Sequence, residues 1–297
     1  MRRRTCAFVI AGLAAVLAVW SIPHAASAGD PVPKPVPTYN PYPPGILPSD
    51  LDAEIARVQR EVQFIFNETL KEWGALPPPT PTGNPPTLRG SGYQAVDVLG
   101  KLMNFDSNIS PLRNEACGFC HMPYAGFSGP IPSVNLTMVA YPGTFHFRAG
   151  KRTAQRYTYS PDFPVLEYNT AQGVFFGGNF WDARSTGYKL QSADAEQAQH
   201  PPVDTQEMGF RDTACVAFRL SKAVYRPLFE LVWGADFHIR WPANTEKICP
   251  TPGGAARFGG SAMPIQLSPE DRSKANNIYD QWGQSISKYE RSNRRSP

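Results

Sequence analysis

The sequence lacks three features, and each absence excludes a class of protein. Beyond residues 7–20 it has no apolar run long enough to span a bilayer, so we expect no membrane span after signal cleavage. Its 29 basic and 25 acidic side chains nearly balance once Arg2, Arg3 and Arg4 are removed, so nucleic acid is not an expected partner. No internal repeat is visible, which excludes a solenoid.

Residues 1–28 have the layout of a cleaved secretory signal peptide. A basic start is followed by a short apolar run and by the small residues Ala26-Ser27-Ala28. Cys6 precedes the apolar run, so it is not the cysteine of a lipoprotein. The pattern predicts export to the periplasm, with a retained membrane anchor as the alternative.

Cysteine is scarce, with five residues in 297, yet two of them form one informative motif. Cys117 and Cys120 are separated by two residues and followed directly by His121, the attachment signature of c-type haem. The thiols reach the two vinyl groups as thioethers, and the histidine binds the iron. Structural thiols or half a zinc site are the alternatives, but no second ligand pair follows at zinc-like spacing.

Cys215 and Cys249 remain outside this motif. In an oxidising compartment such a pair is expected to form a disulfide, which would stabilise the fold by roughly 3–4 kcal/mol. Two free buried thiols are the alternative.

The 31 prolines and 24 glycines indicate much irregular backbone between short helices. After the signal, residues 29–93 form a proline-rich leader that contains one amphipathic helix, capped by Ser49 and ended by Gly74. Residues 94–249 form the predicted haem domain, and residues 250–297 a linker and helical stub. The apolar stripe of the leader helix is Leu51, Ile55, Val58, Val62, Ile65, Leu70 and Trp73.

Three further helices are predicted. One runs through residues 96–103, a second through 213–233 with a break or kink at Pro227, and a third from the cap Ser268 to about Tyr289. Residues 122–180 are mostly loop, which wrapping around a large flat cofactor would explain.

Several segments in order resemble the bacterial di-haem cytochrome c peroxidase and MauG family over roughly residues 94–292. The matching segments are Val98–Phe105, Cys117–His121, Phe180–Arg184, Gln197-Ala198, Glu207-Met208, Tyr225, Phe229, Gly234, Leu267–Pro269 and Tyr289–Ser292. The resemblance implies an all-α, cytochrome c-like haem domain with long loops.

The resemblance also implies roles for single residues. His121 would be the proximal iron ligand, Trp181 the relay for electrons between two haems, and Gln197 with Glu207 the polar pair of the distal pocket. Splitting peroxide requires a group that takes a proton from one oxygen and returns it to the other, which a carboxylate can do. The structural alternatives are a packing role for Trp181, a surface turn or capping acid for Glu207, and a solvated helix face for Gln197.

The sequence leaves the distal iron ligand open. His146 lies in the interval where some family members place a histidine, and an ordinary hydrogen-bonded histidine is its alternative. Other candidate ligands are Met122, Met138, Met208, His200 and His238.

The sequence departs from the family in four places. Six extra residues separate Trp181 from Gln197, and Ala183 replaces a glycine. The family's calcium-binding Arg-Asn-x-Pro stretch reads Arg152-Thr153-Ala154-Gln155, so calcium is not predicted. The second Cys-x-x-Cys-His motif is missing, and this implies one covalently bound haem c and either a second haem-bearing subunit or a truncated copy.

The leading functional prediction is a periplasmic peroxidase-like haem oxidoreductase. It would reduce hydrogen peroxide, or use it to oxidise a partner, with electrons from an external donor such as a small cytochrome c or a cupredoxin. The alternatives are a mono-haem electron carrier and an inactive family member.

Overall fold

The computed structural model describes residues 48–75, 95–137, 140–254 and 263–292. The predicted signal peptide, most of the leader and parts of the linkers lie outside these residues, as does Met138. The described chain is mostly helical, with one two-stranded antiparallel sheet. Its elements are α1 Pro48–Ala75, α2 Ala95–Asn104, α3 Cys117–Cys120, α4 Pro132–Thr137, β1 Glu167–Asn169, β2 Val174–Phe176, α5 Ala193–Ala198, α6 Ala214–Leu220, α7 Arg226–Trp233, α8 Thr245–Ile248 and α9 Pro269–Arg291.

Helix α1 confirms the predicted amphipathic helix, but it begins at Pro48 and ends at Ala75, so Ser49 and Gly74 lie within it and the predicted cap and stop are wrong. Leu51, Ile55, Val58 and Val62 are buried along one face, as their spacing indicates, and Phe66 joins them. This face packs on α2 and α3. The leader helix is therefore part of the core that supports the haem motif.

Helix α2 crosses α9 at very close range because residue 100 is glycine. A Cβ atom at Gly100 would lie 2.1 Å from the carbonyl oxygen of Ser285 and 2.6 Å from Cβ of Tyr289. No larger side chain fits there without moving one of the helices. Around this contact Leu99, Trp282 and the Tyr289 ring are buried.

Helix α9 also confirms its predicted start. The Ser268 side chain accepts a hydrogen bond from the Asp271 backbone N–H, and Pro269 occupies the first turn. The helix packs against α2, α5 and α6. The interpretation of residues 250–297 as a linker and stub stays a prediction, but its helix is built into the same core as the haem motif.

The predicted helix over 213–233 is broken into α6 and α7. Pro227 lies in the first turn of α7, where its missing N–H costs nothing. Cys215 on α6 and Cys249 after α8 place their sulfur atoms 2.17 Å apart.

The long region from 122 to 180 is mostly irregular, as predicted, but it contains a hairpin that the sequence did not indicate. Strands β1 and β2 pair antiparallel, with Glu167 opposite Phe176. Aromatic rings on this hairpin are exposed, including Tyr168 and Phe175. Within the described ranges, no helix is long and apolar enough to cross a bilayer.

Candidate haem site

A cavity of about 380 Å³ opens beside α3. Its volume falls in the range of small-molecule and cofactor sites. One side presents the three motif residues Cys117, Cys120 and His121. The remaining wall comes from the 150–157 loop, the 180–184 loop, the 197–208 segment and the last turns of α9.

His121 is held in the state that binds iron. Its Nδ1 lies 3.1 Å from the carbonyl oxygen of Phe127, and a ring nitrogen this close to a carbonyl carries the proton. Nε2 is then the ring nitrogen that could bind a metal, and the ring also contacts the backbone of Gln155. Burial lowers the pKa of His121, which favours the neutral imidazole. The Tyr157 ring packs on the imidazole with centroids 4.9 Å apart and fixes its orientation.

The two thiols lie on one short helical turn. The His121 backbone N–H donates to the Cys117 carbonyl at 3.0 Å, which closes the turn of α3 and brings all three motif side chains to the same cavity. Burial, followed by the nearby Glu290 and Glu115 carboxyls, raises the pKa of Cys117 to about 12. Both thiols are free of a disulfide, so they are available for thioether bonds.

Glu207 faces the same cavity from the segment that follows α5. Burial raises its pKa to about 7, and the nearby Asp204 adds to the shift. A carboxyl with this pKa exchanges protons near neutral pH. Gln197 on α5 also lines the cavity. The structure therefore brings together the polar pair that the sequence predicted.

The loop that presents Glu207 depends on a glycine. A Cβ atom at Gly143 would lie 2.2 Å from the Glu207 carbonyl oxygen. The Thr144 backbone N–H donates to that oxygen at 3.0 Å, and the Thr144 hydroxyl donates to Asn114 at 2.7 Å. The 143–144 turn thus ties Glu207 to the chain just before the haem motif.

Two polar groups at the cavity were missed from the sequence. Burial, together with Glu207, raises the pKa of Glu115 to about 8. Its Oε2 and the Oε1 of Gln206 are buried and make no hydrogen bond to the described part of the chain. Buried oxygens without hydrogen-bond partners are expected in a cavity that binds a further molecule with polar groups at its edge. Glu115 stands two residues before the motif, and only that position could have suggested it.

The residues that form the cavity are consistent with a c-type haem. They combine two free thiols, one neutral histidine with one ring nitrogen fixed by a carbonyl, and buried polar oxygens without hydrogen-bond partners in the same cavity. In the described ranges, no cluster of three or more His, Cys, Asp or Glu side chains could hold a metal ion.

Trp181 lies on the rim of the cavity and is 91% exposed. The packing role that was its alternative is therefore wrong. Next to it, Asp182 accepts hydrogen bonds from Arg184 at 2.8 Å and Arg152 at 3.3 Å, and the Arg184 guanidinium lies 3.5 Å above the Phe180 ring.

The candidates for the distal ligand separate clearly. Met208 lines the cavity, whereas His146 is exposed and does not. Met122 is fully buried outside the cavity. His200 packs edge-on against the Phe180 ring and does not line the cavity, and His238 is exposed beside Asp236.

Comparison with known proteins identifies the family of the chain. A family model described as di-haem cytochrome c peroxidase matches residues 94–295. The chain belongs to this family. It is 31% identical over 143 residues to the methylamine utilization protein MauG of Paracoccus denitrificans, a match covering 47% of this chain and 34% of that protein. The chain thus spans about a third of the length of this relative.

Among solved structures, the diheme peroxidase BthA from Burkholderia thailandensis matches with a TM-score of 0.48 and 21% identity, over 68% of this chain and 39% of that one. A variant of the same peroxidase matches with a TM-score of 0.47 and 20% identity, over 68% of this chain and 40% of the other.

Proposed function

We propose that this chain is a periplasmic c-type haem oxidoreductase that reduces hydrogen peroxide with electrons from an external donor. The observation that carries the proposal is the cavity shared by the haem-attachment motif and Glu207. Membership of the di-haem peroxidase family supports it. The fold around the cavity is proposed to be that of a cytochrome c domain that carries one haem.

Cys117 and Cys120 would hold the haem through thioether bonds, and Nε2 of His121 would bind its iron. Bound there, haem iron supplies the one-electron chemistry and the oxygen activation of a peroxidase. Phe127 and Tyr157 keep the imidazole oriented.

Glu207 acts as the proton carrier. Reduction of hydrogen peroxide consumes two electrons and two protons and yields two water molecules. The Glu207 carboxylate takes a proton from one peroxide oxygen and returns it to the other as the O–O bond breaks. Gln197 orients peroxide through its amide. A pKa of about 7 suits both directions of this transfer at neutral pH.

Electrons enter past Trp181. Its exposed ring joins the cavity rim to the surface, where a small cytochrome c, a cupredoxin or a second haem-bearing subunit would dock. We further propose that the chain is exported and that Cys215 and Cys249 are oxidised to a disulfide there, since their sulfur atoms lie at bonding distance.

The test is to produce the protein with a haem-ligation apparatus and to measure peroxide-dependent oxidation of a reduced cytochrome. Haem that survives denaturation on the wild type and is lost when both Cys117→Ala and Cys120→Ala are introduced supports covalent attachment. Glu207→Gln should lower kcat/KM for peroxide by roughly 100-fold. Its pH profile should also lose the ionisation near pH 7.

Asp204→Asn is the matched control because it changes a neighbouring carboxylate on the cavity wall. It should keep most of the rate and shift the apparent pKa of the profile downwards, since Asp204 helps to raise the pKa of Glu207. An unchanged rate in Glu207→Gln would remove this residue from the reaction. A matured haem protein inert to peroxide would favour an electron carrier instead.

A further inference from the structure

Two carboxyl groups that the proposed reaction does not use lie close together in the protein interior beside the cavity. Asp194, on α5, has no exposed surface, and Glu290, in the last turn of α9, is 2% exposed. Helices α5 and α9 pack against each other, with Ser192 Oγ and Ser287 Oγ 3.4 Å apart, and this contact brings the Glu290 carboxyl within hydrogen-bonding reach of Asp194. Glu290 also contributes to the cavity wall together with Cys117. Neither residue has a role in the reaction proposed above.

Two carboxylates cannot hydrogen-bond to each other unless one of them carries a proton. Asp194 Oδ2 is buried and has no N–H or hydroxyl donor among the described residues. Burial raises the pKa of Asp194, which favours a proton on the pair, and the contact with Glu290 only partly opposes this shift. Two like charges at this separation in a dry environment would also repel strongly.

The surroundings of the pair keep it away from water. The Ser160 and Ser287 hydroxyls lie beside Asp194, and Asn179 Nδ2 approaches Asp194 Oδ1 at 3.5 Å. Titratable groups that interact electrostatically with Glu290 include Cys117 and Tyr157, and Tyr289 interacts in turn with Tyr157. Arg291, at the end of α9, is a charged neighbour of Asp194.

We propose that Asp194 and Glu290 share one proton in the oxidised protein and bind a second proton when the haem at Cys117 is reduced. The inference depends on the haem attachment proposed above, but not on peroxide chemistry. One electron comes from the external donor and one proton from solvent. The proton forms an O–H bond on the remaining carboxylate, and no other bond breaks.

The physical reason is charge balance. Reduction adds one negative charge next to a group that already carries one, in an interior of low dielectric. This raises the proton affinity of the pair. By linkage, the midpoint potential must then fall as the pH rises through the titration of the pair. The pair thus serves as a proton site for the reduction of the haem.

The experiment uses the haem-loaded full chain without peroxide. Reduced-minus-oxidised infrared difference spectra should show the C=O stretch of a protonated carboxylic acid growing on reduction of the wild type. In Glu290→Gln the amide still donates to Asp194 but no longer shares a proton. The carboxylic acid band should then be lost, and the slope of midpoint potential against pH should fall at least by half.

Glu270→Gln is the matched control, since Glu270 lies on the same helix with its side chain 72% exposed. It should leave both the band and the slope unchanged. Asp194→Asn is a second, independent variant with the same expected losses. A wild-type spectrum without a redox-sensitive carboxylic acid band overturns the proposal, and so does an unchanged slope in both variants.

Peroxide turnover, measured separately, distinguishes this inference from the proposed function. A haem protein that is inert to peroxide but shows the infrared band refutes only the peroxidase assignment. An active peroxidase that lacks the band refutes only the shared proton.

Discussion

Two regions of the molecule are built in opposite ways. At the crossing of α2 and α9, Gly100 leaves no space for even a methyl group, and the Trp282 ring is completely buried. The 163–184 segment, whose end forms the rim of the cavity, exposes most of its aromatic rings, and Trp181 is 91% exposed. The rim also holds two non-glycine residues, Phe180 and Ala183, at positive φ angles of 66° and 52°.

We expect this difference to separate residues that set stability from residues that would take part in the proposed electron exchange. Residues at the crossing gain free energy from burial and close contact, so changes there should act on unfolding. Residues on the rim gain little from packing, and their strained backbone costs free energy. A segment with exposed aromatic rings and a strained backbone is expected to bind another molecule rather than to stabilise the fold.

The largest effect is expected at the crossing itself. Gly100→Ala places a Cβ atom 2.1 Å from the Ser285 carbonyl oxygen, so the helices must separate. We expect a loss of about 2–3 kcal/mol in the free energy of unfolding, measured in urea. Gly74→Ala is the control because a Cβ atom at that position would have no neighbour within 4 Å, and it should be neutral or slightly stabilising. Equal effects in the two variants would show that the crossing is loose.

The next effect concerns the pair that fixes the start of α9. Arg272 donates to both oxygens of Asp212, at 2.7 and 2.9 Å. Although burial opposes ionisation, hydrogen bonds from Arg272 and from two backbone N–H groups lower the pKa of Asp212. Arg272→Gln should therefore cost about 1–2 kcal/mol at pH 7.

The pH dependence of this loss follows from its sign. A carboxyl whose pKa is lowered by folding stabilises the protein above its unfolded pKa of about 3.9 and loses that contribution as the pH falls further. The stability gap between wild type and Arg272→Gln should therefore close below about pH 4. The control Lys71→Gln removes an exposed pair with Glu68 and should change stability by less than about 0.5 kcal/mol. A gap that persists in acid would contradict the ion-pair explanation.

On the rim, replacing the strained alanine should raise the free energy of unfolding, whereas the two changes above lower it. Ala183 has a φ angle of 52°, which costs an L-residue about 1–2 kcal/mol and glycine almost nothing. After the entropic cost of glycine, Ala183→Gly should raise the free energy of unfolding by about 0.5–1 kcal/mol. Ala53→Gly in the exposed face of α1 should lower it by about 1 kcal/mol. A loss in both variants would mean that the rim turn is not strained.

The smallest effect on stability is expected at Trp181. Because its ring is exposed, Trp181→Phe should change the free energy of unfolding by less than about 0.5 kcal/mol. It should nevertheless slow oxidation of the reduced cytochrome. Trp282→Phe, at a fully buried ring, should cost at least about 1 kcal/mol. If Trp181→Phe lowers the free energy of unfolding as much as Trp282→Phe does, the rim contributes to the stability of the fold.

The sequence predicted those parts of the fold that depend on local patterns. The α1 stripe, the Ser268 cap and the break before Pro227 each follow from spacing or from a single residue type. The hairpin at 167–176 could not be predicted in the same way. Both of its strands are mostly exposed, so they lack the alternation of buried and exposed residues that marks a strand.

The candidate site was predicted where one short motif carries it. His121 and Glu207 were found because the chain around them matches family segments. The pairing of Asp194 with Glu290 was not found, because it joins residues almost a hundred positions apart and neither stands in a recognisable motif. The replacement of a glycine by Ala183 was visible in the sequence, but its positive φ angle required the backbone.

The contribution of α9 to the cavity has a consequence for how the protein is made. If the chain is exported as proposed, it folds after translocation, and roughly 150 residues separate His121 from Pro269, so the attachment motif emerges well before α9. Until α9 packs, the wall that contains Ile286 and Glu290 is missing, and Cys117 and Cys120 remain open. The proposed haem ligation would therefore take place before α9 packs beside the attachment motif.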